Sequence, residues 1–518
     1  MKKFQLIILA ALILSLPSAG QKAGLKTIHK IDLKAYMTFF ASDEMQGRET
    51  GTPANDLAAL YIKTNIMRLG LKPIPESNDY FQMIPFVSKR LDPHESYLKI
   101  IGNNGEPGYT TDSVVLFEFP PETSEIHAQV FFAGYSYSDT VTGYDDLRGA
   151  DIKDKIVFFM TRNPDLVNQD SGKSMFQMEV EGPKMQRIMQ QGPKAVFLVY
   201  DPKNMYADPY ESGISTLIPY DRVALKTDTV SVTSALIGFL TQHAADILLQ
   251  PTGHSLRQMQ DSINTTRQPV SLEIPDITVT LKTVVTNRDF TGKNVIGIIK
   301  GSDPLLRNEC IVYSAHFDHV GVNDKGEVFN GADDNASGSM ALLEIAKAFM
   351  KEKKKPLRAI VFAWMNGEEK GLLGSRYYVE HPVIPLKNTL VDINLDMVGR
   401  SKNPSDTGTF EGFDLTVTKP GEVLVYSAHQ NAKVFKMLEE AAEQAGVHVI
   451  DMGNDLQFGS SDHASFNEKG VPGLLLISGI HADLHSPRDD VDKIDFEKME
   501  MISRMAFLLG YKLSSRHK

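Results

Sequence analysis

A chain of 518 residues is longer than one hydrophobic core ordinarily organises, so two or more domains are expected. Its 42% hydrophobic and 23% charged residues are the proportions of a water-exposed globular protein, neither disordered nor embedded in lipid. The net charge of -11 leaves no broad basic surface for nucleic acid, and the one lysine run, KEKKK at 351–355, follows an apolar-periodic stretch and reads as a solvated helix end.

In chain order, residues 1–20 carry two lysines, an apolar run, then Pro17, Ser18, Ala19 and Gly20. This predicts an export signal cleaved near Gly20, a periplasmic or secreted mature chain, and no stable membrane insertion after cleavage. No cysteine near the cleavage region offers a lipid attachment point. The only cysteine is Cys310, at the start of the apolar run CIVYSA, where it reads as a buried strand residue. One cysteine makes no intrachain disulfide, and any metal must sit on nitrogen and oxygen.

Residues 27–72 read as helical, with Leu57, Leu60, Ile62, Ile66, Met67 and Leu69 recurring at about 3.6 residues after the turn-rich SDEMQGRETGTPAN. Short β-prone runs follow from 121 to 275: AQVFFAGYSY, KIVFFMTR, KAVFLVYD and VSVTSALIGFL, with one helix around GPKMQRIMQQG. Beyond 276 the apolar runs NVIGIIKG, CIVYSAH, AIVFAWMN, TLVDINLDMVG and VPGLLLIS alternate with helix-like segments, one of them from Ala336 to Met350. That alternation predicts an α/β domain, a mostly parallel mixed sheet with helices on both faces. The closing DFEKMEMISRMAFLLGYKL predicts a packing helix.

Polar chemistry gathers where these apolar runs stop: AHFDH at 315–319, GADDNASG at 331–338, NGEEKG at 366–371, NLDMVG at 394–399 and LHSPRDDVDKID at 484–495. Open α/β sheets place their sites at strand ends, and carboxylates and imidazoles brought together there need a cation to offset their charge. His316 and Asp318, two apart, suit a ligand and the carboxylate that fixes its tautomer. Two adjacent aspartates before a helix exceed what capping requires, and one carboxylate shared by two metals accounts for the excess. Glu368 and Glu369 diverge by about 100° if they start a helix, so one can bind metal while the other faces a water as general base. Asp396 is costly at an apolar strand end unless coordinated or hydrogen-bonded. His481 and His485 both qualify as a last ligand.

These segments resemble the zinc-dependent exopeptidases that include bacterial leucine aminopeptidases, aminopeptidase Y, glutamate carboxypeptidase and glutaminyl cyclase. GRETGTPAN is similar to the family's N-terminal part, and GADIKDKIVFF to its inserted protease-associated domain. The resemblance implies the phosphorylase/hydrolase-like fold, divided into a leader (1–20), an N-terminal catalytic part (21–120), a protease-associated insert (121–275) and the main catalytic part (276–518). It implies two Zn2+ ions, one on His316 and Asp396, the other on Glu369 and His485, with Asp334 bridging. Glu368 becomes the general base and Asp318 the partner of His316, while Ser461, Asp462 and His463 match a segment that lies near the substrate. Leu484 departs from the pattern, because many relatives carry a carbonyl-polarising aromatic there.

The implied activity is aminopeptidase action on peptides. Rival readings are a carboxypeptidase, which needs an arginine or lysine clamp and has Arg376, Arg400 and Arg488 nearby in sequence, a glutaminyl cyclase, or a metal-free receptor-like ectodomain. No nucleic-acid partner is expected, and the sequence names no oligomeric partner. Neither Gly-x-Ser-x-Gly nor His-Glu-x-x-His occurs, so a serine hydrolase and a one-helix metalloprotease find no support.

Overall fold

The computed structural model describes residues 21–515 except 93, 103–106, 111–113, 120–121, 170–177, 205, 207–208, 210–220, 228–235, 324, 405, 411–412, 427–430 and 454–460. The expected leader therefore lies outside the described residues. No described helix is long and apolar enough to cross a membrane. The chain divides into two compact units, one built from residues 1–85 and 291–518, the other from 86–290. The second unit thus takes in more chain at each end than the 121–275 read from sequence.

Eight strands concern the first unit's sheet: β1 (Phe81–Leu91), β2 (Val285–Ile299), β3 (Cys310–His316), β4 (Ala359–Met365), β5 (Thr389–Leu395), β6 (Glu422–Tyr426), β7 (His448–Asp451) and β8 (Gly473–Ile477). Their order across the sheet is β1-β2-β4-β3-β5-β8-β6-β7. The contiguous set β4-β3-β5-β8 is parallel throughout, whereas β2 joins β4, and β6 joins β8, antiparallel. Every residue of β3, β4 and β8 is buried, as the near-continuous apolar runs of strands covered on both faces require.

Helices supply that cover: α1 (Lys30–Phe40), α2 (Pro53–Leu69), α3 (Gly338–Lys351), α4 (Leu373–Glu380), α5 (Ala432–Ala445), α6 (His463–Glu468) and α7 (Phe496–Ser515). The region 27–72 is thus two helices, with a tight 3-10 segment at Asp43–Arg48 between them. Local chemistry sets the bounds of α2: Thr52 accepts the Asn55 N–H, Pro53 opens the first turn, and Gly70 closes the helix at φ 86°. On one face of the sheet α3 packs against α7, α1 and α2, and Ile311, Tyr313 and Ala315 of β3 join their core. Cys310 and Val312 point to the other face, with Tyr378 of α4 and Phe466 of α6. Trp364 on β4 is fully buried in the larger core and donates its indole N–H to the Ser339 carbonyl at 2.9 Å.

The second unit has its own eight-stranded mixed sheet. In it Ile156–Met160, Ala195–Val199 and Leu236–Leu240 lie side by side, run parallel and are buried along their whole length. Separate apolar clusters cover the two faces, one around Phe158 and Phe197, the other around Phe159 and Leu198. Within it Arg162 forms a two-pronged pair with Asp201 at 2.7 and 2.8 Å, both side chains buried.

Candidate metal centre

The parallel strands deliver the polar residues to one end of the sheet. His316 closes β3, Glu368 and Glu369 follow β4, Asp396 follows β5, and His485 comes from the loop beyond β8. Asp334 stands in the turn that leads into α3. That turn is fixed by Asn335, whose Nδ2 donates to the Leu395 carbonyl at 2.9 Å while its Oδ1 accepts the Gly338 N–H at 2.8 Å.

Asp334 faces two ways. Its Oδ1 lies 3.3 Å from His316 Nε2, and its Oδ2 lies 3.1 Å from His485 Nε2. His316 Nε2 is also 3.3 Å from Asp396 Oδ1, and His485 Nε2 is 3.1 Å from Glu369 Oε2. Ligands about 2.0 Å from a tetrahedrally coordinated zinc stand about 3.3 Å from one another, so these spacings suit an ion within each set. The donors are all imidazole nitrogen and carboxylate oxygen, and Cys310 is buried elsewhere, hydrogen-bonded to Thr389 in the strand layer. Glu368 reaches the edge of the first set, 3.9 Å from His316 Nε2.

Support comes from below. Asp318 touches His316 through its backbone: His316 Nδ1 is 3.2 Å from the Asp318 carbonyl and 3.9 Å from its carboxylate. The carboxylate instead accepts the Glu368 N–H at 3.3 Å and the Thr50 hydroxyl at 2.9 Å. Asp396 Oδ2 accepts the Ser461 hydroxyl at 2.7 Å, and Ser461 in turn accepts from Asn394. Behind Asp334, the Asp489 carboxylate accepts the N–H groups of Asp333 and Asp334 at 3.0 and 3.1 Å. His481 pairs with Asp333 at 3.4 Å, leaving His485 as the histidine of its loop that faces Asp334 and Glu369.

Electrostatics separates the two glutamates when no cation is present. Burial, joined by repulsion from Glu369, Asp396 and Asp462, holds Glu368 well above the usual carboxyl range against the pull of His316. Burial also opposes ionisation of Glu369, but His485 and His319 outweigh it and bring its carboxyl down to about 2. Asp462 is fully buried and pushed up to about 7, chiefly by desolvation. His463 is buried, its imidazole driven down to about 4, and neither ring nitrogen finds a partner among the described residues.

Residues 294–509 match peptidase family M28. The matched segment contains the five expected ligands and Glu368. The chain is 31% identical over 238 residues to aminopeptidase YwaD of Bacillus subtilis, covering 44% of this chain and 46% of that protein. A probable leucine aminopeptidase of Trichophyton verrucosum is 27% identical over 242 residues, 45% of this chain and 61% of the relative. The chain therefore spans about half of the curated relatives it matches. Among solved structures, an aminopeptidase from Aneurinibacillus sp. strain AM-1 superposes with a TM-score of 0.59 at 21% identity, covering 96% of this chain and 97% of that one. BSAP, a zinc aminopeptidase from Bacillus subtilis, gives 0.52 at 20% identity, over 95% and 97% of the two chains. These likenesses show that the chain shares an α/β fold with them.

Several residues of the matched segment and its surroundings were not singled out by sequence. His319 joins the cluster, its Nδ1 2.7 Å from Glu369 Oε1. Arg48 ties the Phe317 carbonyl to those of Asn330 and Gly331. Asn55 and Asn366 exchange amide hydrogen bonds beneath Thr50. The second histidine in AHFDH was the one visible sign of His319. Leu484, where an aromatic was expected, packs with Met397, Tyr426 and Leu475 in a small apolar cluster. Arg400 and Arg488, weighed as carboxylate clamps, both pair with Asp483.

Proposed function

We propose that this chain is an exported dinuclear zinc aminopeptidase, its metals held on one side by His316 and Asp396 and on the other by Glu369 and His485, with Asp334 shared. The observation that carries this reading is the two-way carboxylate of Asp334, each oxygen within 3.3 Å of a different histidine. Aminopeptidase action is drawn from YwaD and the leucine aminopeptidases, and zinc from BSAP. Export rests on the composition of residues 1–20, and a protease-associated identity for the insert rests on GADIKDKIVFF.

Two zinc ions so held would polarise a scissile carbonyl and lower the pKa of an adjacent water to about 7. Glu368 takes the proton of the attacking water at its carboxylate and returns it to the departing amine nitrogen. The Asp318 carboxylate serves that step by fixing the Glu368 backbone, and Ser461 by fixing Asp396. Asp462 and His463 stand as substrate-side residues on the strength of their place in SDHASF alone.

Glu368→Gln keeps side-chain volume and removes the base. The expected result is a loss of kcat of at least about 100-fold with metal content and unfolding midpoint unchanged. Retained turnover would sink the assignment of Glu368. A panel of free-amine and N-blocked dipeptides separates the chain ends: cleavage of free-amine substrates alone supports the aminopeptidase reading, and cleavage of N-blocked ones supports a carboxypeptidase.

A further inference from the structure

His319 lies outside the ligand set just described, yet it is wholly buried and makes the shortest imidazole–carboxylate contact in the cluster. The contacts sort by length. Those between His316 or His485 and their carboxylates measure 3.1 to 3.3 Å, the separation of neighbouring ligands around one ion. His319 Nδ1 to Glu369 Oε1 measures 2.7 Å, the length of a charge-assisted hydrogen bond. His319 Nδ1 to Asp334 Oδ2 is 3.5 Å, too long for such a bond. A carboxylate only accepts, so the imidazole carries its proton on Nδ1 and donates.

Glu369 is thereby held by both oxygens, Oε1 by His319 and Oε2 facing His485 at 3.1 Å. We propose that His319 is a positioning residue that pins Glu369 by Oε1 and so confines it to metal binding through Oε2. The proposal rests on the dinuclear reading above. It makes the two metal positions unequal, since the carboxylate on the His316 side, Asp396, is pinned by the Ser461 hydroxyl instead. Room for the ring comes from Gly331, at φ 54°, where a Cβ would stand 2.5 Å from the His319 ring and 2.2 Å from the Asp334 carbonyl oxygen.

Two variants of the full chain divide donor from ring. His319→Phe keeps a ring against Gly331 and removes the donor; His319→Asn sheds the ring and leaves an amide N–H where Nδ1 stood. Zinc affinity is read by competition against a chromogenic chelator, with circular dichroism as the check on folding. The expected result is that His319→Phe weakens one of two zinc equivalents by about 10- to 100-fold and spares the other, while His319→Asn stays close to the unchanged protein. The proposal is overturned if His319→Phe holds both equivalents as tightly as the unchanged protein, or if His319→Asn loses as much as His319→Phe. An unchanged protein that binds no zinc under replete conditions overturns the dinuclear reading itself, a result distinct from either.

Discussion

Arg48 donates from its guanidinium to four carbonyls, those of Phe40, Phe317, Asn330 and Gly331, at 2.7 to 3.0 Å. The side chain is fully buried, which brings it down to about 10, so it stays charged at neutral pH beside Asp334 and Asp318. It fastens the loop after His316 to the loop before Asp334, and its charge offsets part of the carboxylates' repulsion. A lysine keeps the charge but not the planar fork. Arg48→Lys is therefore expected to lose about 2–4 kcal/mol of stability in urea unfolding and to weaken zinc binding, because carbonyls are left buried without their donor. Full stability in that variant would refute the clamp. The five proposed ligands and Glu368 were legible as candidates because each is an acidic or imidazole side chain in a polar segment that follows an apolar run. Arg48 was not, since its partners are backbone carbonyls, and carbonyls of residues 317 and 330–331 leave no trace in side-chain pattern. His319 was hidden for a related reason: it sits three residues past a strand end in irregular chain, where periodicity assigns no direction.

Among elements, the buried parallel strands were the most legible. CIVYSAH, AIVFAWM and GLLLI are apolar on both faces, a pattern that strands covered by helices must have. The second unit's outer strands were less so: Tyr97–Gly102 and Pro107–Thr110 pair antiparallel, but their lysine, glycine and proline content does not read as buried β-structure. Next to the strand Ser124–Phe132 lies Asp146, which accepts from the Tyr144 hydroxyl at 2.7 Å and from the N–H groups of Tyr135 and Tyr137. Burial raises its carboxyl to about 6, outweighing those bonds and the charge of Lys184. The folded unit therefore holds a proton that the unfolded chain releases near pH 3.8, so this contribution is full below that value and lost as pH rises through about 6. The loss is on the order of 2–3 kcal/mol. Denaturation followed by near-ultraviolet circular dichroism at about pH 4 and about pH 7 should show it, and Asp146→Asn should flatten the dependence. An equal slope in the variant would place the titration elsewhere.

At the scale of the whole molecule, the first unit is assembled from two stretches of chain, 1–85 and 291–518, with the second unit folded from the residues between. The His29 N–H donates to Glu344, and the Arg504 guanidinium donates to the Ile28 carbonyl, contacts that cannot form until most of the chain is made. All the proposed metal ligands belong to the first unit. Chelation is therefore expected to lower the unfolding transition of that unit, by about 3 kcal/mol for zinc at a hundred times its dissociation constant, and to leave the second unit's transition in place. Calorimetry with and without chelator reads both, and an equal shift of the two would contradict a metal centre confined to one. The position of Trp364 adds something practical. It is the chain's single tryptophan, its indole bonded to the Ser339 carbonyl at 2.9 Å, while the Ser339 hydroxyl bonds the His316 carbonyl at 2.7 Å. The molecule thus contains its own optical gauge: intrinsic fluorescence comes from one indole, two hydrogen bonds from His316, a proposed ligand, undiluted by any emitter of its kind in the other unit.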